Sequence, residues 1–216
     1  MNIEKSRFNM IEQQIRPWNV LDLDVLNLLI VCKRENFFPE SQKSLAFFDT
    51  ELPLAGGAFA LSPKLEARIV QEVASKKSES VWLIGAGTGY LAALLAHQAK
   101  HVTVTETNPE LIATATKNLR DNDVSNVSII QASGLTAQQG AAYDVIVVSG
   151  SLEIVPQVLQ DMLNIGGRLF VVTGQAPVMA AQLIRRESDT SFKATTLFET
   201  VVPALPQSEH VSRFIF

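Results

Sequence analysis

Three glycines and one glutamate mark where this chain could do chemistry. Residues 81 to 96 read VWLIGAGTGYLAALLA, an apolar run that breaks at Gly85, Gly87 and Gly89 and then resumes as a helix-like stripe. Glycine at the end of a strand lets the chain turn tightly and brings backbone N–H groups beside a ligand at the next helix N-terminus. Seventeen residues after Gly89, the run HVTVTE finishes at Glu106, a carboxylate placed to accept hydrogen bonds from both hydroxyls of a ribose. A glycine turn followed by an acid at the tip of the second strand describes a nucleoside site. The spacing is GxGxG, whereas the dinucleotide fingerprint puts its third glycine one residue later, so NAD is disfavoured. Alone, the glycines also fit a tight turn with no ligand, and Glu106 also fits a solvated loop carboxylate.

The elements around these residues support the first reading. From residue 81 onward, β-rich runs alternate with helical patterns: VWLI, YLAALLAHQA, HVTVTE, NPELIATATKNLRD, NVSII, YDVIVVSG, VPQVLQDML and GRLFVVTG. That rhythm predicts an α/β fold, an open parallel sheet covered by helices on both faces. Asn108 and Pro109 open the helix after Glu106 as N-cap and first-turn residues, with Glu110 favourable to its N-terminus. The tail holds FKATTLFETVV and HVSRFIF, which read as two strands pairing antiparallel at one sheet edge.

Residues 1–80 read as a helical cap and loop, and 81–216 as the sheet, in one domain. Phe8, Ile11 and Ile15 fall on one helical face, and Leu23, Leu26 and Ile30 on another. PESQKSLAFF reads as a short helix and TELPLAGGAFAL as a loop. In SPKLEARIVQEVASKK, Ser62 suits an N-cap, Pro63 the first turn, and Leu65, Ile69 and Val73 a buried face. Trp18, Phe47 and Phe48 read as packing between cap and sheet, with Trp18 also a candidate edge of the substrate cleft.

Charge and composition exclude other classes. A net charge of −4 with no Lys or Arg block argues against a nucleic-acid partner. The N-terminus is charged throughout, and no stretch approaches the roughly 18 apolar residues of a membrane span, so a cytoplasmic protein with no membrane partner is expected. The single cysteine, Cys32, forbids an internal disulfide and reads as core. His97 on an exposed helix face, His101 at the start of the second strand and His210 near the end show no metal-ligand spacing.

The runs MIEQQIRPWNVLDLDVLNLL, KRENFFPE, VWLIGAGTGYLAALLA and YDVIVVSGSLEIVPQVLQDMLNIGGRLFVV resemble the protein-L-isoaspartate O-methyltransferase family over nearly the whole chain. The resemblance implies a Rossmann-like, mostly parallel seven-stranded methyltransferase sheet and S-adenosyl-L-methionine as cofactor. It also implies methyl transfer to the carboxylate of altered aspartyl residues in damaged proteins. Candidate cofactor contacts are Gly85, Ala86, Gly87, Thr88, Gly89, Tyr90, Glu106, Thr107, Ser133, Gly134 and Ser149.

Three positions depart from the family pattern. Its Ile-Ser-x-Pro loop has Leu61 at the serine when Pro63 is aligned, leaving Ser62 as the candidate catalytic hydroxyl. Its strand-one acid is Leu83 here. Its Gly-Asp-Gly reads Ala132, Ser133, Gly134, where Ser133 offers a weaker hydrogen bond to adenine. Hydrogen bonds to charged groups contribute roughly 1.5 to 3 kcal/mol against about 1 for neutral ones, so two weakened contacts cost on the order of 10- to 1000-fold in affinity. Glu153 would repel a carboxylate substrate if it faced the site, and otherwise reads as a helix N-terminal acid. A carboxylate nucleophile is ionised at pH 7 and needs no general base, so the missing serine does not by itself abolish methyl transfer. Two alternatives stay open: a worn nucleoside-binding pseudoenzyme, and a methyltransferase for another protein side chain or a small molecule.

Overall fold

The computed structural model describes residues 2–136, 142–206 and 208. Helix α1, Ile3–Met10, runs on through a π-helical turn, Ile11–Ile15, and a 3-10 turn, Arg16–Trp18, to left-handed Asn19. The wide π turn shifts the phase of the helix face, so Met10, Ile11 and Ile15 are buried while the expected Phe8 is 63% exposed. Helix α2, Leu23–Val31, is capped by Asp22, whose Oδ1 accepts from the amides of Asp24 and Val25. Its sequence is apolar almost all round, so periodicity does not choose a face; packing on the following helices buries Val25, Leu26 and Leu29 and leaves Leu23 and Ile30 exposed.

Where a helix is expected over PESQKSLAFF, the chain makes two 3-10 turns, Glu40–Gln42 and Leu45–Phe47. Only Ala46 and Phe47 are buried there, and Phe48 points outward at 57% exposure. Two-residue strands β1, Leu52–Pro53, and β2, Phe59–Ala60, pair antiparallel and stiffen the loop before helix α3, Pro63–Val73. Leu65, Ile69 and Val73 form its buried face as expected. Ser62 holds the N-cap position, but its side chain makes no capping bond.

The sheet is built from β3 Ser80–Ile84, β4 His101–Glu106, β5 Val127–Gln131, β6 Tyr143–Leu152, β7 Leu163–Gln175, β8 Val178–Arg186 and β9 Phe192–Glu199. Their order is β5-β4-β3-β6-β7-β8-β9, with the last two strands antiparallel. Helices α4, Tyr90–Gln98, α5, Pro109–Asp121, and α6, Gln157–Asp161, complete it. Alternate strand residues supply the two core layers. Leu83, Val104 and Val147 pack with the cap and α4, while Trp82, Ile146 and Leu169 pack with Leu159 of α6. Strand β8 was not expected from sequence, and of the two expected tail strands FKATTLFETVV supplies β9. The segment HVSRFIF lies outside the described residues. The reversal from β3 to β4 on one side and β6 on the other leaves a crevice at the strand carboxyl ends, where ligands of such sheets bind.

Candidate cofactor site

Strand β3 ends at that crevice and hands the chain to the glycine loop. Gly85 has φ 93°, and a Cβ added there would come 2.2 Å from Ser149 Oγ. The Ser149 hydroxyl donates to the Ile84 carbonyl at 2.8 Å, locking the end of β6 to the end of β3. Gly87 has φ 53° with open space where a Cβ would stand, so the backbone itself faces the cleft. Gly85, Gly87, Glu106, Thr107, Ser133 and Ser149 all border one cleft, together with Gly134. About 620 Å³ of empty space, counted out to bulk solvent, lies between these residues.

Backbone amides from three residues hold the glutamate. Its Oε2 accepts from the Ala86 amide at 3.0 Å, and Oε1 accepts from the amides of Thr107 at 2.8 Å and Asn108 at 2.9 Å. A carboxylate offers about four acceptor positions, so the remaining capacity lies on Oε2. The β4 residue thereby fixes both the glycine loop and the start of α5, where Asn108 caps the helix as expected by accepting from the Glu110 amide at 2.9 Å.

The rest of the cleft is tight and apolar. A Cβ on Gly134 would lie 2.4 Å from Ile84 Cγ2 and 2.6 Å from Thr105 Oγ1, a close approach that requires glycine. Ser133 Oγ accepts from the Leu135 amide at 3.3 Å, so its hydroxyl takes part in the turn. Ala86 and Thr88 border a smaller adjoining cavity with Leu61 and Glu66. Gly89 and Tyr90 line neither: the Gly89 amide donates to the Ala86 carbonyl, and the Tyr90 ring packs edge-on to Phe37 at 5.3 Å.

Phe59 and Leu61 wall both cavities, whereas Ser62 is buried and borders neither. Leu83 is fully buried in the core layer. Trp18 packs edge-on to Phe198 of β9 at 4.9 Å and is not part of the cleft wall. Glu153 is not a helix N-terminal acid, because β6 runs on to Leu152 and Pro156 delays α6 until Gln157; Gln175 Nε2 donates to its Oε1 at 2.5 Å.

Sequence reasoning missed two features. The first is the strap Pro203–Pro206, which closes one side of the cleft. Ser151 pins it: its amide donates to the Pro203 carbonyl and its carbonyl accepts from the Leu205 amide, both at 3.0 Å. Two prolines flanking Ala204 and Leu205 were the available signal. The second is the buried Arg34–Glu66 pair, whose partners are too distant in sequence to connect by spacing.

These residues fit the nucleoside part of S-adenosylmethionine. An exposed backbone at Gly87, an oriented carboxylate at Glu106 and apolar walls at Ile84, Leu135 and Leu205 match a ribose beside a flat base. Among the described residues, no group of three or more His, Cys, Asp or Glu is arranged to hold a metal ion, and no helix is long and apolar enough to cross a membrane.

Comparison with known proteins agrees with this geometry. The chain is 35% identical over 187 residues to a protein-L-isoaspartate O-methyltransferase of Rhodopseudomonas palustris, covering 85% of each chain. It is 31% identical over 185 residues to one from Methanoculleus marisnigri, covering 85% of this chain and 84% of the other. Among solved structures, a Plasmodium falciparum protein assigned as a protein-L-isoaspartate O-methyltransferase, in complex with S-adenosyl-L-homocysteine, superposes with a TM-score of 0.80 at 18% identity. It covers 96% of this chain and 100% of that one, which shows that the fold is shared. The sequence profile of the protein-L-isoaspartate(D-aspartate) O-methyltransferase (PCMT) family matches residues 5–209, and the chain therefore belongs to that family.

Proposed function

We propose that this protein is an S-adenosylmethionine-dependent O-methyltransferase that acts on the free carboxylate of isoaspartyl residues in damaged proteins. The observation that carries the reading is the clamped Glu106 beside the glycine loop, in a chain that matches the family over residues 5–209. S-adenosylmethionine, when bound, supplies a methyl group on a sulfonium, ready for in-line displacement. Glu106 and the Gly85–Gly87 backbone would hold its nucleoside portion. Phe59 and Leu61 keep water from the reacting atoms, and no general base is needed because an acceptor carboxylate is ionised at neutral pH. We assign the repair to the cytoplasm.

The test has two parts. Calorimetry with S-adenosylhomocysteine should give saturable binding, and no binding at millimolar concentration would sink the cofactor assignment. Methyl incorporation into an isoaspartyl peptide should exceed that into its aspartyl counterpart. Binding without such turnover would select a second reading favoured by the apolar Leu61 wall: the same cofactor with a different acceptor.

A further inference from the structure

Arg34 is fully buried, yet the nucleoside site makes no use of it. All three guanidinium nitrogens donate to different segments. Nε donates to Glu66 Oε2 of α3 at 2.8 Å, Nη1 to the Ala46 carbonyl at 2.7 Å, and Nη2 to the Leu61 carbonyl at 2.7 Å. The guanidinium carbon Cζ lies over the Phe38 ring, 4.9 Å from its centroid, and 5.8 Å from the centroid of the Tyr90 ring, at the start of the helix that follows the glycine loop. Next along the chain, Glu35 pairs with Arg7 of α1, so the same turn is anchored to the N-terminal helix. Glu66 and Leu61 both border the small cavity that adjoins the cofactor cleft.

A buried ion pair is weak as a source of stability, since desolvation offsets its Coulombic gain. What the arrangement supplies is geometry. A rigid planar fork satisfies three acceptors in fixed directions, which a lysine ammonium on a flexible stem does not reproduce. One of those acceptors is the carbonyl of the residue that walls both cavities. We propose that Arg34 is the positioning residue for the acceptor side of the reaction: through the Leu61 carbonyl it sets the loop Ala58–Ser62 against the glycine loop. The inference rests on the methyltransferase reading, because it presumes that an acceptor enters between those two loops.

Two variants test it. Arg34→Lys keeps the charge opposite Glu66 but spans fewer acceptors. The pair Arg34→Met with Glu66→Met replaces the ions by apolar side chains of similar length, an exchange that is often neutral or stabilising. The expected result for the double variant is a folded protein that melts below wild type, because the Ala46 and Leu61 carbonyls lose their donor, with amide exchange over residues 58–62 accelerated about tenfold or more beyond any change in β3 and β4. The isoaspartyl-peptide KM should rise about tenfold or more while kcat and S-adenosylhomocysteine affinity stay within roughly threefold. Wild-type exchange over 58–62 together with wild-type KM, in either folded variant, overturns the proposal. So does an equal loss of S-adenosylhomocysteine affinity, which would make the effect global. If the wild-type protein methylates no isoaspartyl peptide, the functional reading fails, and the exchange measurement still decides the role of Arg34.

Discussion

At the scale of single residues, Glu106 ties the glycine loop to the start of α5. Glu106→Gln keeps the shape but turns half of an acceptor-only group into a donor that faces backbone N–H groups. Hydrogen bonds to a charged acceptor contribute roughly 1.5 to 3 kcal/mol, so S-adenosylhomocysteine affinity should fall about 10- to 100-fold by calorimetry; unchanged affinity would mean that Glu106 does not touch the ligand. Cys32 makes the opposite prediction. Burial, with Glu66 and Glu35 adding to it, pushes its thiol up to about 12, so the nucleophilic thiolate is scarce at neutral pH. Alkylation by iodoacetamide at pH 8 should be negligible in the folded protein and rapid in denaturant. The position of Glu106 beside the cleft and the burial of Cys32 were readable from sequence, because each follows from its immediate neighbours, a strand tip in one case and an apolar run in the other. Arg34 was not, since its meaning depends on Ala46, Leu61 and Glu66 meeting in space.

At the scale of elements, strands and helices from residue 81 to 175 follow the alternating pattern closely, because a parallel sheet needs apolar strands and crossover helices. The misses have local causes. Helix faces in the cap were misjudged where a π turn or all-round apolarity broke the usual period. Strand β8 carries Gln182, Arg185 and Arg186 among its apolar residues, which weakened its signal. One tie between elements bears on acid stability. Arg168 of β7 donates to both Glu79 oxygens, at 3.0 and 2.8 Å, and to the Val73 and Ala74 carbonyls at the end of α3. The Arg168 hydrogen bond chiefly holds the Glu79 carboxyl below its ordinary value of 4.5. A depressed folded pKa gives stability that is present above 4.5 and lost as pH falls through the folded value. Glu79→Gln should therefore melt lower than wild type at pH 7, and the gap should close as pH falls below 4.5 and through the folded value. A gap of constant size across that range would show that the ion pair is not the source.

At the scale of the whole molecule, residues 1–80 are joined to the sheet too closely to behave as a separate cap. Helix α3 packs on α4 and β7, Asn118 of α5 donates to the Phe37 carbonyl at 3.0 Å, and Trp18 and Arg68 both rest on the Phe198 ring of β9. We therefore propose that the chain unfolds as one domain. A ligand that binds only the folded state at 100 times its Kd adds about 2.7 kcal/mol. For a chain of this length each kcal/mol raises Tm by roughly 2 to 4 °C, so saturating S-adenosylhomocysteine should lift Tm by about 5 to 10 °C. The informative quantity is the number of transitions. Near-ultraviolet circular dichroism reports Trp18 in the cap and Trp82 in the sheet, whereas far-ultraviolet signal reports the helices and strands together. The two probes should trace one coincident melt that moves as a unit when ligand is added. A cap transition that stays in place while the sheet transition rises would show two independent domains, and would remove the physical link by which Arg34 and the N-terminal helix could set the loop beside the cofactor.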